Sequence, residues 1–214
     1  MIEEVVKVQY FTADTHFFHE QLLGNNDFAP RPFKNVAAMN QAIIDAWNAR
    51  VSDKDVVYHL GDIAMHPSNY PGNDEVFEIL KQLNGQIIFI KGNHDNRDLF
   101  KFLAKHNWDV FPDKPKFRFH DVGVLIKMNH FQFFMTHYPM MMGIVKQTMN
   151  LHGHIHHSSV PIAEDINVGI DTPETVFLKD PPPFGTPFSE AELFAMYAGK
   201  KAYLIKNKPF NKYD

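Results

Sequence analysis

Gly92-Asn93-His94-Asp95 sets an amide oxygen, an imidazole and a carboxylate side by side behind a glycine that permits a sharp turn. Residues of these types bind divalent metals and move protons, although Asn, Asp and Gly also populate ordinary turns for backbone reasons alone. Four further clusters repeat the theme: Asp14-Thr15-His16, Gly61-Asp62, His137, and Gly153-His154-Ile155-His156. The Gly92 cluster follows Gln86-Ile87-Ile88-Phe89-Ile90-Lys91, whose β-branched and aromatic content reads as a buried strand. The other clusters also close predicted strands, and strand ends are where α/β sheets keep their chemistry. One such cluster is a turn; five in the same position predict a site.

Suppose the clusters converge. Asp14, His16, Asp62, Asn93, His137, His154 and His156 then form an oxygen and nitrogen ligand set suited to Mn²⁺, Fe, Zn²⁺, Co²⁺ or Ni²⁺ and poor for soft ions. The set exceeds the demand of one ion. With Asp62 as a bridge, Asp14, His16, Asp62 and His156 serve one ion, and Asp62, Asn93, His137 and His154 serve the other. Two ions about 3.5–4 Å apart hold a hydroxide between them and clamp phosphoryl oxygens for in-line displacement. Their charge exceeds that of Asp14, Asp62 and hydroxide together, so the site attracts phosphate.

The expected chemistry is phosphoester hydrolysis. The catalytic candidates are Asp62, His94 and Asp95. His94 meets the phosphate from the open side as general acid or transition-state stabiliser, and Asp95 either orients His94 or holds the loop. Candidate substrate contacts are His19, Arg31, Asn93 and His94. Arg31 reads either as a fork onto phosphate or as a solvated loop arginine between Pro30 and Pro32. Phe17, Phe18, Phe28 and Tyr138 either stack a nucleobase or simply pack.

The elements that must position these groups follow from periodicity. Strands are predicted at 5–12, 55–60, 86–91 and 108–111, alternating with helices. The first helix is capped by Asn35 and runs to Arg50, with Val36, Met39, Ile43, Ala46 and Trp47 on one stripe. Others start at Asn73 and Arg97, and residues 17–33 read as a long functional loop. This β-α-β-α-β-α-β order predicts a largely parallel sheet. Short runs at 116–120, 124–128 and 131–136, with turns between them, predict a second, mainly antiparallel sheet. Runs at 148–151 and 166–168 add strands. A helix capped by Ser189 is expected to run to Tyr197, and a last strand to cover 202–205.

The 214 residues suit a single domain, 1–214, and their apolar runs fall short of the ~18 residues of a membrane helix. With no cysteine and no leader-like start, a cytoplasmic protein is expected. The net charge of -4 offers no field for long nucleic acid, while 13 histidines favour metal binding or proton transfer.

Taken together, Asp14-x-His16, Gly61-Asp62, Gly92-Asn93-His94-Asp95, His137 and Gly153-His154-x-His156 resemble the five ordered motifs of the calcineurin-like metallophosphoesterase superfamily. The flanking residues are similar to those of its small bacterial and phage members. The resemblance implies an α/β fold, a four-layer α/β/β/α sandwich of two mixed sheets flanked by helices. It also implies a dinuclear site with the ligand division given above. The expected substrate is a small phosphodiester or phosphomonoester, nucleotide-like. The alternatives are a metal-dependent nuclease, which calls for a basic groove, and a non-catalytic scaffold, which calls for lost ligands.

Overall fold

The structure, a computed structural model, describes residues 8–65, 72–143 and 145–207. In chain order the elements are β1 (Gln9–Thr12), α1 (Val36–Arg50), β2 (Val56–His59), α2 (Asn73–Leu80), β3 (Gln86–Ile90), α3 (Arg97–Lys105), β4 (Asp109–Phe111), β5 (Lys114–Pro115), β6 (Phe117–His120), β7 (Gly123–Met128), β8 (Phe131–Thr136), β9 (Thr148–His152), β10 (Asp165–Asn167), β11 (Phe188–Ser189) and α4 (Glu190–Lys206). Residues 5–7 of the predicted first strand lie outside the described residues.

One sheet has the order β11-β1-β2-β3-β6, the other β10-β9-β8-β7. In the first, β1, β2, β3 and β6 are parallel and β11 is an antiparallel edge. Helices α1, α2 and α3 cover one face, where Met39, Ile43, Trp47, Val76, Leu80, Leu99 and Leu103 pack on Val57, Ile87, Phe89 and Phe117. On the opposite face Phe11, Val56, Ile88 and Ile90 meet Phe133, Met135, Met149, Leu151 and Ile166 of the second sheet, with Leu193 and Met196 of α4. Each such fully buried aliphatic or Phe side chain contributes about 1.5–3 kcal/mol. The result is a mixed α/β fold of two mixed sheets flanked by helices. No helix among the described residues is long and apolar enough to cross a membrane.

Several expectations change. Residues 117–120 belong to the first sheet rather than the second, because β6 pairs parallel with β3 and sends Phe117 and Phe119 into the helical layer. The 108–111 run instead forms a small hairpin, β4 with β5. The segment at Asp121-Val122, expected as a hairpin turn, carries the chain from one sheet to the other. In the second sheet only β7 and β8 are antiparallel; β8, β9 and β10 are parallel. The 138–147 connection is long enough to return the chain to the starting end of the sheet.

Residues 202–205 are not a strand but the last turns of α4. Its start is fixed by a capping box: Ser189 Oγ accepts from Glu192 N, and Glu192 Oε2 accepts from Ser189 N at 2.7 Å. The β-propensity of Tyr203 and Ile205 gives way because both stay largely exposed on a helix anchored at Leu193, Met196 and Lys200.

Candidate metal centre

The parallel strands carry their carboxyl ends to one edge of the molecule, and every predicted cluster sits there. Asp14 and His16 follow β1, Asp62 follows β2, Asn93 to Asp95 follow β3, His137 follows β8, and His154 and His156 follow β9. Backbone bonds lock the loops together: Asp14 N donates to Gly61 O at 3.0 Å, His16 N to Asp62 O at 3.0 Å, and Gly153 N to His137 O at 3.0 Å. The loop after β3 is short because Asn96 caps α3, its Oδ1 accepting from Leu99 N at 2.7 Å.

Two groups of ligand atoms result: Asp14, His16 and His156, and Asp62, His137 and His154. Asp62 joins them. Its Oδ1 accepts from His94 N at 2.9 Å, which leaves Oδ2 between His16 Nε2 at 3.5 Å and His137 Nε2 at 3.4 Å. Asn93 Oδ1 lies 2.8 Å from both His137 Nε2 and His154 Nδ1. Ligands at about 2.1 Å from one ion are spaced about 3.0–3.4 Å apart at its corners, so this spacing is close to that of a coordination shell.

The donors fit divalent ions on further grounds. His16 Nε2 is buried without a hydrogen-bond partner, a costly state that a metal relieves. His137 Nδ1 donates to Leu60 O at 2.8 Å and His156 Nδ1 to Asp171 Oδ2 at 2.9 Å, freeing each Nε2 lone pair for an ion. Asp14, His16, Asp62, His154 and His156 all have positive φ, between 45° and 72°. For bulky residues this is strained backbone, held where the surroundings over-determine it. The backbone also presses against the carboxylates: a Cβ at Gly92 would lie 2.2 Å from Asp62 Oδ1, and one at Gly153 2.5 Å from Asp14 Oδ2.

Electrostatics supports the same assignment. Burial, with the Arg31 charge, holds His16 well below its ordinary pKa, and burial lowers His154, so both present neutral imidazoles. Burial pushes Asp14 up to about 6, against the lowering influence of His156 and His137. Burial opposes ionisation of Asp62 as well, but its bond to His137 and the His94 N–H hold it below the usual carboxylate range. Buried carboxylates gathered in this way favour cations beside them.

The remaining candidates separate. The side chain of His94 is 36% exposed, with Nε2 4.0 Å from Asp62 Oδ2, so it faces the open side. Asp95 does not orient His94: its oxygens accept from the N–H groups of Asp62, Ile63 and Gly92 at 2.9, 2.9 and 2.8 Å, tying two ligand loops together. His19 is buried beside His16, with Nδ1 atoms 3.3 Å apart, and burial lowers its pKa to about 4.

Arg31 corrects both readings made of it. It is fully buried, and its donors reach Asp171 Oδ1 at 3.1 Å and Oδ2 at 2.7 Å, Thr15 O at 2.7 Å, Asp14 O at 2.7 Å and the Met39 sulfur. No donor remains for a phosphate. His152 Nε2 lies 2.9 Å from Asp165 Oδ1. Of the aromatics, Phe17 is core and Phe18 packs against it, while Phe28 and Tyr138 are half-exposed at the site. Among the other histidines His106, His130 and His157 are exposed, His120 is half-buried at the end of β6, and His66 lies outside the described residues.

Asp171, Thr15 and Asn167 join the site without being among the candidates named from sequence. Asp171 takes both Arg31 and His156; Thr15 Oγ1 donates to Ile63 O at 2.9 Å and accepts from His59 Nε2 at 2.9 Å. Asn167 Nδ2 donates to His156 O at 2.7 Å and Ser158 O at 3.0 Å. The signal was present: Gly169-Ile170-Asp171-Thr172 is one more polar cluster just past a strand, β10.

This geometry has a known counterpart. The family model for calcineurin-like phosphoesterases matches residues 10–194, and the chain belongs to that family. An uncharacterized protein of Methanocaldococcus jannaschii is 38% identical over 109 residues, 47% of this chain and 58% of that protein. The match thus spans little more than half of that relative. A protein of unknown function from Aquifex aeolicus, known from its crystal structure, shares the fold with a TM-score of 0.56 and 24% identity, over 78% of this chain and 91% of that one. Family membership and the clustered Asp and His ligands together support a metal-dependent phosphoesterase.

Proposed function

We propose that the protein is a dinuclear metallophosphoesterase that hydrolyses a small phosphodiester or phosphomonoester of nucleotide-like character. The observation that carries this reading is Asp62 Oδ2 placed between His16 Nε2 and His137 Nε2 at 3.5 and 3.4 Å, at the junction of the two ligand groups. Asp14, His16, Asp62 and His156 would hold one divalent ion, and Asp62, Asn93, His137 and His154 the other. The expected ion is Mn²⁺, and this oxygen and nitrogen donor set accepts Fe, Zn²⁺, Co²⁺ or Ni²⁺ as well. Two such ions supply a nucleophile at neutral pH and offset phosphoryl charge.

The chain's own residues do the rest. Asp62 sets the spacing of the two ligand groups. The Nε2 of His94 faces the open side and protonates the departing oxygen or bonds to the charged equatorial oxygens. Asp95 keeps the Asp62 and Gly92 loops in register through three backbone amides. Arg31 and Asp171 hold Asp14 and His156 from behind.

Metal-stripped protein, reconstituted with Mn²⁺, is assayed on bis-p-nitrophenyl phosphate and p-nitrophenyl phosphate. Metal-dependent release of p-nitrophenol is expected. Faster diester cleavage assigns a phosphodiesterase and faster monoester cleavage a phosphatase; no cleavage of either with two ions bound would overturn the reading.

A further inference from the structure

Among the described residues, Phe28 and Tyr138 are the exposed aromatics that touch the ligand histidines, and one stands at each ligand group. The Phe28 ring centre lies 4.4 Å from that of His156 and 6.5 Å from that of His157. The Tyr138 ring lies 4.4 Å from His154 and 5.1 Å from His137. Phe28 is 53% exposed and Tyr138 51%. Leaving so much aromatic surface in water forgoes burial energy, and neither ring does so for want of anchoring.

Phe28 is presented by an Asx-turn in which Asn26 Oδ1 accepts from Phe28 N at 3.0 Å and Ala29 N at 2.7 Å. The next residue, Ala29, is buried, and Arg31 pins the end of the loop. Tyr138 is held by Thr136 Oγ1 donating to its carbonyl at 2.6 Å, and the chain beyond it by Met140 N donating to Asn150 Oδ1 at 2.8 Å. Both rings therefore have their backbones fixed while about half of each residue stays exposed.

We propose that Phe28 and Tyr138 are a pair of substrate-selecting walls, and that the substrate is a phosphodiester carrying a flat group, aryl or nucleobase, on each side. The inference rests on the phosphoesterase reading of the same centre. A phosphate seated between the two ligand groups leaves its ester substituents at the open rim, within reach of Phe28 beside His156 and of Tyr138 beside His154. A flat substituent stacks on either ring; an alkyl substituent gains far less. Stacking on an aromatic side chain tolerates any base, so the walls select flatness rather than sequence.

The test compares bis-p-nitrophenyl phosphate with methyl p-nitrophenyl phosphate, which share a leaving group and differ in the second substituent. Because the shared p-nitrophenyl group occupies one wall, the ratio of their kcat/KM values is expected to fall about fivefold to a hundredfold in the alanine variant of the wall that takes the second substituent. The other alanine variant lowers kcat/KM for both esters by a similar factor, mainly through KM; Phe28→Tyr and Tyr138→Phe keep wild-type values. Calorimetric binding of diphenyl phosphate against dimethyl phosphate to the Mn²⁺-loaded protein gives a second readout, with the same preference lost in both alanine variants. Esters cleaved with kcat/KM values unchanged in the variants, or with only one ring mattering, would overturn the paired walls and leave the phosphoesterase reading standing. No ester cleaved, yet diphenyl phosphate preferred through both rings, would overturn the hydrolytic reading and keep the walls. Neither cleavage nor preference would overturn both.

Discussion

Asp171→Asn tests whether the centre is held from behind as described. The carboxylate is buried and accepts three bonds from cationic or polarised donors: Arg31 Nε at 3.1 Å, Arg31 Nη2 at 2.7 Å and His156 Nδ1 at 2.9 Å. The amide keeps the shape but removes the charge, leaving a fully buried guanidinium without its counterion. Breaking a buried pair in this way costs about 3–5 kcal/mol. It also loosens the ring orientation and tautomer of His156, and losing such a partner weakens metal binding about 10–100-fold. The two effects separate by assay: urea unfolding of metal-free protein reads the first, and Mn²⁺ titration of folded protein the second. The double variant Arg31→Met with Asp171→Leu removes both charges together. It is expected to recover much of the stability while metal binding stays weak. Stability within 1 kcal/mol of wild type in Asp171→Asn, together with unchanged Mn²⁺ affinity, would refute the reasoning.

Three further outcomes are expected. His94→Ala keeps both ions, measured by elemental analysis, and lowers turnover by about 10²- to 10⁴-fold; loss of metal instead would make it a ligand. Gly92→Ala puts a Cβ 2.2 Å from Asp62 Oδ1 and 2.3 Å from Asp62 N, so it is expected to lower stability by about 1–3 kcal/mol and reduce metal content, with wild-type values for both contradicting the packing. Lys116 is buried with its ammonium on the carbonyls of Leu83 and Gly85, and burial lowers its pKa from 10.5 to about 8. Between those pH values the unfolded chain holds a proton that the folded chain releases, so unfolding free energy rises with pH, by on the order of 3 kcal/mol in all; below pH 8 both states hold it and the slope vanishes. Lys116→Met is expected to abolish that rise in a pH series of urea melts, and an unchanged rise would assign it elsewhere.

The gathering of Asp14, His16, Asp62, Asn93, His137, His154 and His156 in one place was legible because each closes an apolar run and so falls at the same end of the sheets. The parallel pairing of β8 and β9 was legible in principle from the same fact. His137 and His154 follow these two strands, and an antiparallel pair would have put them at opposite ends of the sheet. Short strands read one at a time carry no such information, since turn residues at Asp121-Val122-Gly123 mark a bend and not the sheet the chain enters next. Roles that depend on burial were not legible. Arg31 between two prolines has the composition of a solvated loop, and only the fold shows its donors spent on Asp171 and on the carbonyls of Asp14 and Thr15. Asp95 next to His94 suggests a partnership in sequence, but the turn aims its carboxylate at three amides instead.

The central claim is that one carboxylate, Asp62, joins two metal sites. The most direct measurement is the metal content of Mn²⁺-reconstituted protein after gel filtration, wild type beside Asp62→Asn, by elemental analysis with the spin coupling of the ions read by electron paramagnetic resonance. The account predicts two exchange-coupled ions per wild-type chain, and in the variant loss of that coupling with marked loss of both ions. One ion in the wild type, or two coupled ions retained by Asp62→Asn, would contradict it.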